Sequence, residues 1–161
     1  RYTAQFGEME QAMTQFNKIT NGKNALAQNA YYYLADCYLR LNQKAAAQNA
    51  FKSAMEMDFD SAVKEDAFFN YAKLSYEIGN PYKTPPKILV NFMDTYPKHE
   101  RVELLGELLV SSYTKEGNYL AAIEILEKKS GNKNKELLEK VLSLQAIVDF
   151  KNGKYLSLIH I

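Results

Sequence analysis

The chain has 161 residues, 47 % of them hydrophobic and 24 % charged, with four prolines; such a composition is globular and long enough for one sizeable core or a short array of repeats. Its 20 basic and 19 acidic residues leave a formal net charge of +1, so no global field favours nucleic acid or an anionic membrane. No apolar run reaches the roughly 18 residues of a membrane span, and the lone cysteine, Cys37, excludes an intrachain disulfide.

The chain starts at Arg1 without an initiating methionine and reads as a fragment. Residues 1–22, with "FGEMEQAMTQF", predict a helix. In "YYYLADCY", Tyr31, Leu34, Ala35 and Tyr38 fall at i, i+3, i+4 and i+7 and predict a second helix with one apolar face. After Asn42, the residues Ala47, Phe51, Ala54 and Met55 repeat that spacing. Two helices joined so closely must pack antiparallel, with small residues at Ala35 and Ala47 letting the backbones approach. Further on, "KTPPKILVNF" predicts a helix that starts at Thr84, because proline is tolerated in a first turn that needs no backbone donor. Thr84 is expected to cap it, and the bulk of Pro85 and Pro86 is expected to splay the local helix pair.

The residues Gly7, Asn42, Gly79, Gly117 and Gly153 punctuate the chain at intervals of about 35 to 38 residues, the period of helical-pair repeats. Residues 28–61 supply Tyr31, Leu34, Ala35, Tyr38, Ala47, Phe51 and Ala54, with Phe59 near the end. Residues 65–98 supply Phe68, Tyr71, Ala72, Gly79, Tyr82 and Pro97, with one extra residue around Pro81; residues 103–135 supply Leu109, Tyr113, Gly117, Tyr119, Ala122 and Leu126, with Gly106 in the first aromatic position. This pattern resembles the tetratricopeptide repeat (TPR) family. The resemblance implies an all-α fold, a right-handed α-solenoid of antiparallel helix pairs. It also implies that 1–22 is the second helix of a truncated repeat and 136–155 the first helix of another, all within one array over 1–155. The last residues, Leu156–Ile161, break the pattern and read as a non-native tail similar to translated adapter sequence.

Three successive tyrosines span about 200° of a helix and cannot share a face. Tyr31 belongs to the apolar stripe and is expected in the core. In solenoids of this family the first helices line the concave surface that grips a partner. In that register the resemblance implies partner contacts at Asn29, Tyr32, Tyr33, Asp36 and Arg40, and in the next repeat at Phe69, Asn70, Lys73, Tyr76 and Glu77. Tyr33 and Arg40 are the foremost of these, whereas Tyr32 reads slightly better as a ring buried against the neighbouring repeat.

No catalytic, metal or cofactor chemistry emerges. His99 and His160 are far apart and lack ligand spacing, and Cys37 reads as a small packed side chain. Glu65 and Asp66 read as a solvated pair. Lysines 128, 129, 133, 135 and 140 form a basic segment without interleaved aromatics, a poor nucleic-acid signal. The expected role is therefore a non-catalytic scaffold for a protein or peptide, with its oligomeric state left open. The stretch "DFDSAVKEDAFFNYAKLSYEIGNP" and the Lys-, Asn- and Tyr-rich composition resemble envelope-associated TPR proteins of Bacteroidetes, which implies a periplasmic or outer-membrane-associated place in envelope assembly. The alternative is the non-catalytic arm of a larger enzyme or sensor, such as a histidine kinase or a cell-wall lytic enzyme.

Overall fold

A computed structural model describes the backbone of residues 2–128 and 132–154 and the side chains of 7–128 and 134–154. All regular structure among them is helical: α1 (Tyr2–Ile19), α2 (Ala25–Arg40), α3 (Lys44–Met55), α4 (Ser61–Ile78), α5 (Pro85–Thr95), α6 (Val102–Lys115), α7 (Tyr119–Glu127) and α8 (Asn132–Lys151). The proposed tail at 156–161 lies outside the described residues. The helices form two compact units that divide after Tyr96.

The turns are set by backbone chemistry. Asn42, Gly79, Gly117 and Gly153 all have positive φ, at 57°, 81°, 74° and 72°, the region an asparagine or glycine enters at least cost. Gly7 differs from that expectation, because it lies inside α1 rather than at a turn. Without a side chain it costs that helix roughly 1 kcal/mol relative to alanine. At the helix starts, Asn24 caps α2 through Ala27 N at 2.9 Å, and Asp60 caps α4 through Ala62 N and Val63 N at 3.0 and 3.1 Å. Thr84 stands at the N-cap of α5 but makes no side-chain capping bond. The reason is local: Pro86 has no N–H to offer, and the Lys87 N–H is taken by the Thr84 carbonyl at 3.1 Å.

In the first unit each helix packs on the next, and α2 also touches α4. The α2–α3 seam is lined by alanines 27, 30, 35, 47, 50 and 54, all buried, with Phe51 and Leu34 filling the space between them. Small side chains bring the backbones close, and this closeness displaces Tyr31. Expected in the core, its ring is only half-buried. It lies along the seam beside Met57 and Phe59 on one side and Ala46 and Asn49 on the other, because a seam of methyl groups leaves no volume for it. The α4–α5 pair packs less closely than α2–α3, but so does the proline-free α6–α7 pair, so the splay expected from Pro85 and Pro86 is not singled out. The contribution of α5 is aromatic: Phe92, fully buried, meets Phe68 edge-on at 5.2 Å between ring centres. In the second unit Val110, Ala122, Ile123, Leu126 and Val141 form the core, flanked by Tyr113, Tyr119, Leu137, Leu138 and Leu142.

Polar staples hold the first unit. Gln28 is fully buried. Its Nε2 donates toward Ala54 O, Met57 O and Asp60 O at 3.1, 2.9 and 3.1 Å. Its Oε1 accepts from Phe59 N and Asp60 N at 3.2 and 2.7 Å. The turn between α3 and α4 thus finds its missing hydrogen bonds in one side chain from α2. Gln48 does similar work one junction later, donating to Ser75 Oγ at 3.1 Å and Gly79 O at 2.9 Å.

Gln28→Leu keeps the volume and strands the amides and carbonyls of this turn, so it should destabilise the protein by about 2–4 kcal/mol. Phe51→Ala, at 2 % exposure, should cost about 3–5 kcal/mol, and Tyr31→Ala distinctly less. Urea unfolding followed by circular dichroism measures all three; equal losses for Phe51→Ala and Tyr31→Ala would contradict the seam placement.

Candidate functional site

The three consecutive tyrosines take three different environments. Tyr32 is half-buried, its ring edge-on to Phe51 at 5.6 Å. Its hydroxyl is hydrogen-bonded to the Asp66 carboxylate, and Asn70 Nδ2 donates to Asp66 O and Oδ2 at 2.9 and 3.0 Å. Tyr32, Asp66 and Asn70 therefore form a bridge between α2 and α4. The reading of Glu65–Asp66 as a solvated pair gives way accordingly, since both are half-buried.

Tyr33 stands apart, 51 % exposed, with its ring nearly parallel to Phe16 of α1 at 5.8 Å and 23°. It opens onto a groove of about 370 Å³ between α1 and α2, lined also by Glu8, Met9, Asp36, Cys37 and Arg40. Asp36 and Arg40 are joined at 2.8 Å one helical turn apart. Both are largely exposed, so their pair contributes little to stability, and Glu8 adds a second acid to the rim. Cys37 is partly buried; burial, followed by the Asp36 charge, pushes its thiol above the ordinary range, which disfavours the nucleophilic thiolate.

The remaining sequence-derived candidates divide. Asn29 spends its amide on Ala25 O of its own helix at 2.9 Å. Phe69 is 2 % exposed and meets the Phe92 ring at 5.9 Å, so it is a core residue and offers no open surface. Its face of α4 is covered by α5, which the helical period of α4 alone does not reveal. Lys73 is exposed and Tyr76 half-buried on α4, while Glu77 pairs with Lys44 of α3 at 2.8 Å. The structure thus gathers Tyr33, Asp36 and Arg40 in one groove and leaves Lys73, Tyr76 and Glu77 on α4. Sequence reasoning missed the α1 wall, although Met9, Met13 and Phe16 recur at helical spacing and signal a face turned toward α2.

Among the described residues, no group of three or more His, Cys, Asp or Glu is placed to hold a metal ion. No described helix is long and apolar enough to cross a membrane. No family model matches the chain, and no curated protein is similar enough to stand as a relative.

Tyr32→Phe should remove the α2–α4 bridge and cost about 1 kcal/mol, whereas Tyr33→Ala should cost no more than about 1 kcal/mol through the Phe16 stack. Thermal melts compare them; a Tyr33→Ala loss well above the cost of a core truncation would place that ring inside rather than on the groove.

Proposed function

We propose that this chain is a non-catalytic interaction scaffold of the TPR type, its helix pairs stacked as a right-handed α-solenoid that holds a protein or peptide against its first helices. The observation that carries this reading is the Tyr33 groove. A tyrosine ring held flat on Phe16 offers a large contact area at low entropic cost, and charged side chains frame it on the same wall. Aromatic anchors inside a polar rim are the composition that recognition surfaces favour. With Phe69 in the core and Tyr32 committed to Asp66, the contact set narrows to Tyr33, Asp36 and Arg40, with Lys73, Tyr76 and Glu77 as an extension along α4. Bacterial envelope assembly is the setting we infer for it, from the likeness in composition and repeat pattern.

Affinity capture of partners by wild-type and Tyr33→Ala/Arg40→Ala protein, each checked by thermal melt, tests the proposal. The double variant should melt within a few degrees of wild type and bind at least about ten-fold more weakly, as loss of an anchor residue implies. Unchanged partner binding by the folded double variant would remove the groove from the interaction.

A further inference from the structure

The second repeat departs from its neighbours where two prolines and an extra residue open its second helix, and a cavity of about 280 Å³ lies at that departure, bounded by α3, α4, α5 and the 79–84 loop. Its floor is apolar, with Met55, Phe68 at 8 % exposure and Ile88 at 2 %. Lys52, Glu56, Lys83 and Asn91 stand on its rim.

The loop that carries Lys83 is held in place. Asn80 Oδ1 accepts from Tyr82 N and Lys83 N at 3.0 and 3.2 Å, while its Nδ2 donates to Tyr71 Oη at 2.7 Å and Ser75 Oγ at 3.1 Å. Position 83 is thereby fixed relative to the cavity before anything binds, which lowers the ordering cost of binding. On the other side, the Lys52 ammonium sits 4.4 Å from the centre of the Tyr82 ring. Glu56 approaches Lys52 only to 3.8 Å and is 60 % exposed, so it weakens the positive rim without cancelling it. Two lysines and an amide donor against the single carboxylate of Glu56, which lines the same rim, leave one net positive charge over an apolar floor.

We propose that this cavity binds a small amphiphilic carboxylate. Its aliphatic or aryl part lies on Phe68 and Ile88, and its carboxylate meets Lys52 and Lys83. The volume suits an acid of about eight to ten heavy atoms, just below the range of drug-sized ligand pockets. A neutral ligand of the same shape gains the floor but not the rim, and a dicarboxylate would have to bury charge against Phe68. The site is separate from the Tyr33 groove and shares no residue with it, so the two proposals stand or fall independently.

Titration of the isotope-labelled 161-residue protein with phenylacetate and with phenylacetamide, followed by amide chemical shifts, tests this assignment. Phenylacetate should move amides of α3, α4, α5 and the 79–84 loop and bind about five-fold more tightly than the amide. Lys52→Gln and Lys83→Gln should each shrink that preference without changing the melting temperature. Glu56→Gln should enlarge it, because the rim then loses its only carboxylate, a gain that a merely structural role for Glu56 would not produce. Equal binding of acid and amide, shifts confined to other helices, or no saturable response to either probe would overturn the proposal.

Discussion

The arrangement of the first unit depends on how the buried backbone of one turn is satisfied. Between α3 and α4 the chain reverses within a few residues, and the Met57 and Asp60 carbonyls and the Phe59 and Asp60 amides turn toward Gln28. An unpaired buried backbone group costs about as much as a lost hydrogen bond, so a side chain that pairs several of them at once stabilises the turn. Gln28 is that side chain, and it comes from α2 rather than from either helix the turn connects. A carboxamide suits the task because it both donates and accepts; glutamate could not donate and lysine could not accept. By tying α2 to Asp60, Gln28 fixes where α4 begins, since Asp60 is also the cap of that helix. The start of α4 in turn sets the register that brings Asp66 to Tyr32.

The same logic governs the following junction with different atoms. Gln48 reaches from α3 to Gly79 O and shares Ser75 with Asn80, which then shapes the 79–84 loop. Ser75 Oγ itself donates to Tyr71 O at 2.7 Å, so every member of this group has a partner. A fully satisfied polar network specifies one geometry, because any shift leaves several groups unpaired at once. The alanine seam between α2 and α3 has little such specificity of its own, since methyl groups slide past one another at small cost. Apolar closeness and polar register are therefore supplied by different residues on the same helices.

This division explains what was legible in the sequence. The helices and most turn positions could be read because they depend on local terms: apolar spacing, a residue tolerant of positive φ at Asn42 or Gly117, proline at a helix start. Gly7 misled because a glycine inside a helix and one at its end look alike in a single sequence. Tyr31 misled for another reason, because the stripe it shares with Leu34 predicts which side it faces but not whether that side has room. Phe69 and Asp66 depend on residues 23 to 34 positions away, and no local period carries that information. A signal for the staples did exist. Gln28 and Gln48 are the polar residues standing among alanines and rings on otherwise apolar faces, and a glutamine in such a place needs backbone to bind.

The tyrosine run shows how the frame and the open surface depend on each other. Successive residues on a helix point about 100° apart, so a frame that anchors α2 through Gln28 and Tyr32 assigns Tyr31, Tyr32 and Tyr33 to three separate environments. Tyr32 can serve as a strut only because Asp66 is held in register by Gln28 and Asp60. Once Tyr32 is so engaged, its ring, edge-on to Tyr33 at 5.8 Å, backs the exposed ring while Phe16 faces it from α1. The Tyr33 ring is thus backed by Tyr32 and faced by Phe16, although no residue of the groove takes part in the staples. Ring contacts on both sides of Tyr33 restrict its rotamers, which lowers the ordering cost of any contact made through it.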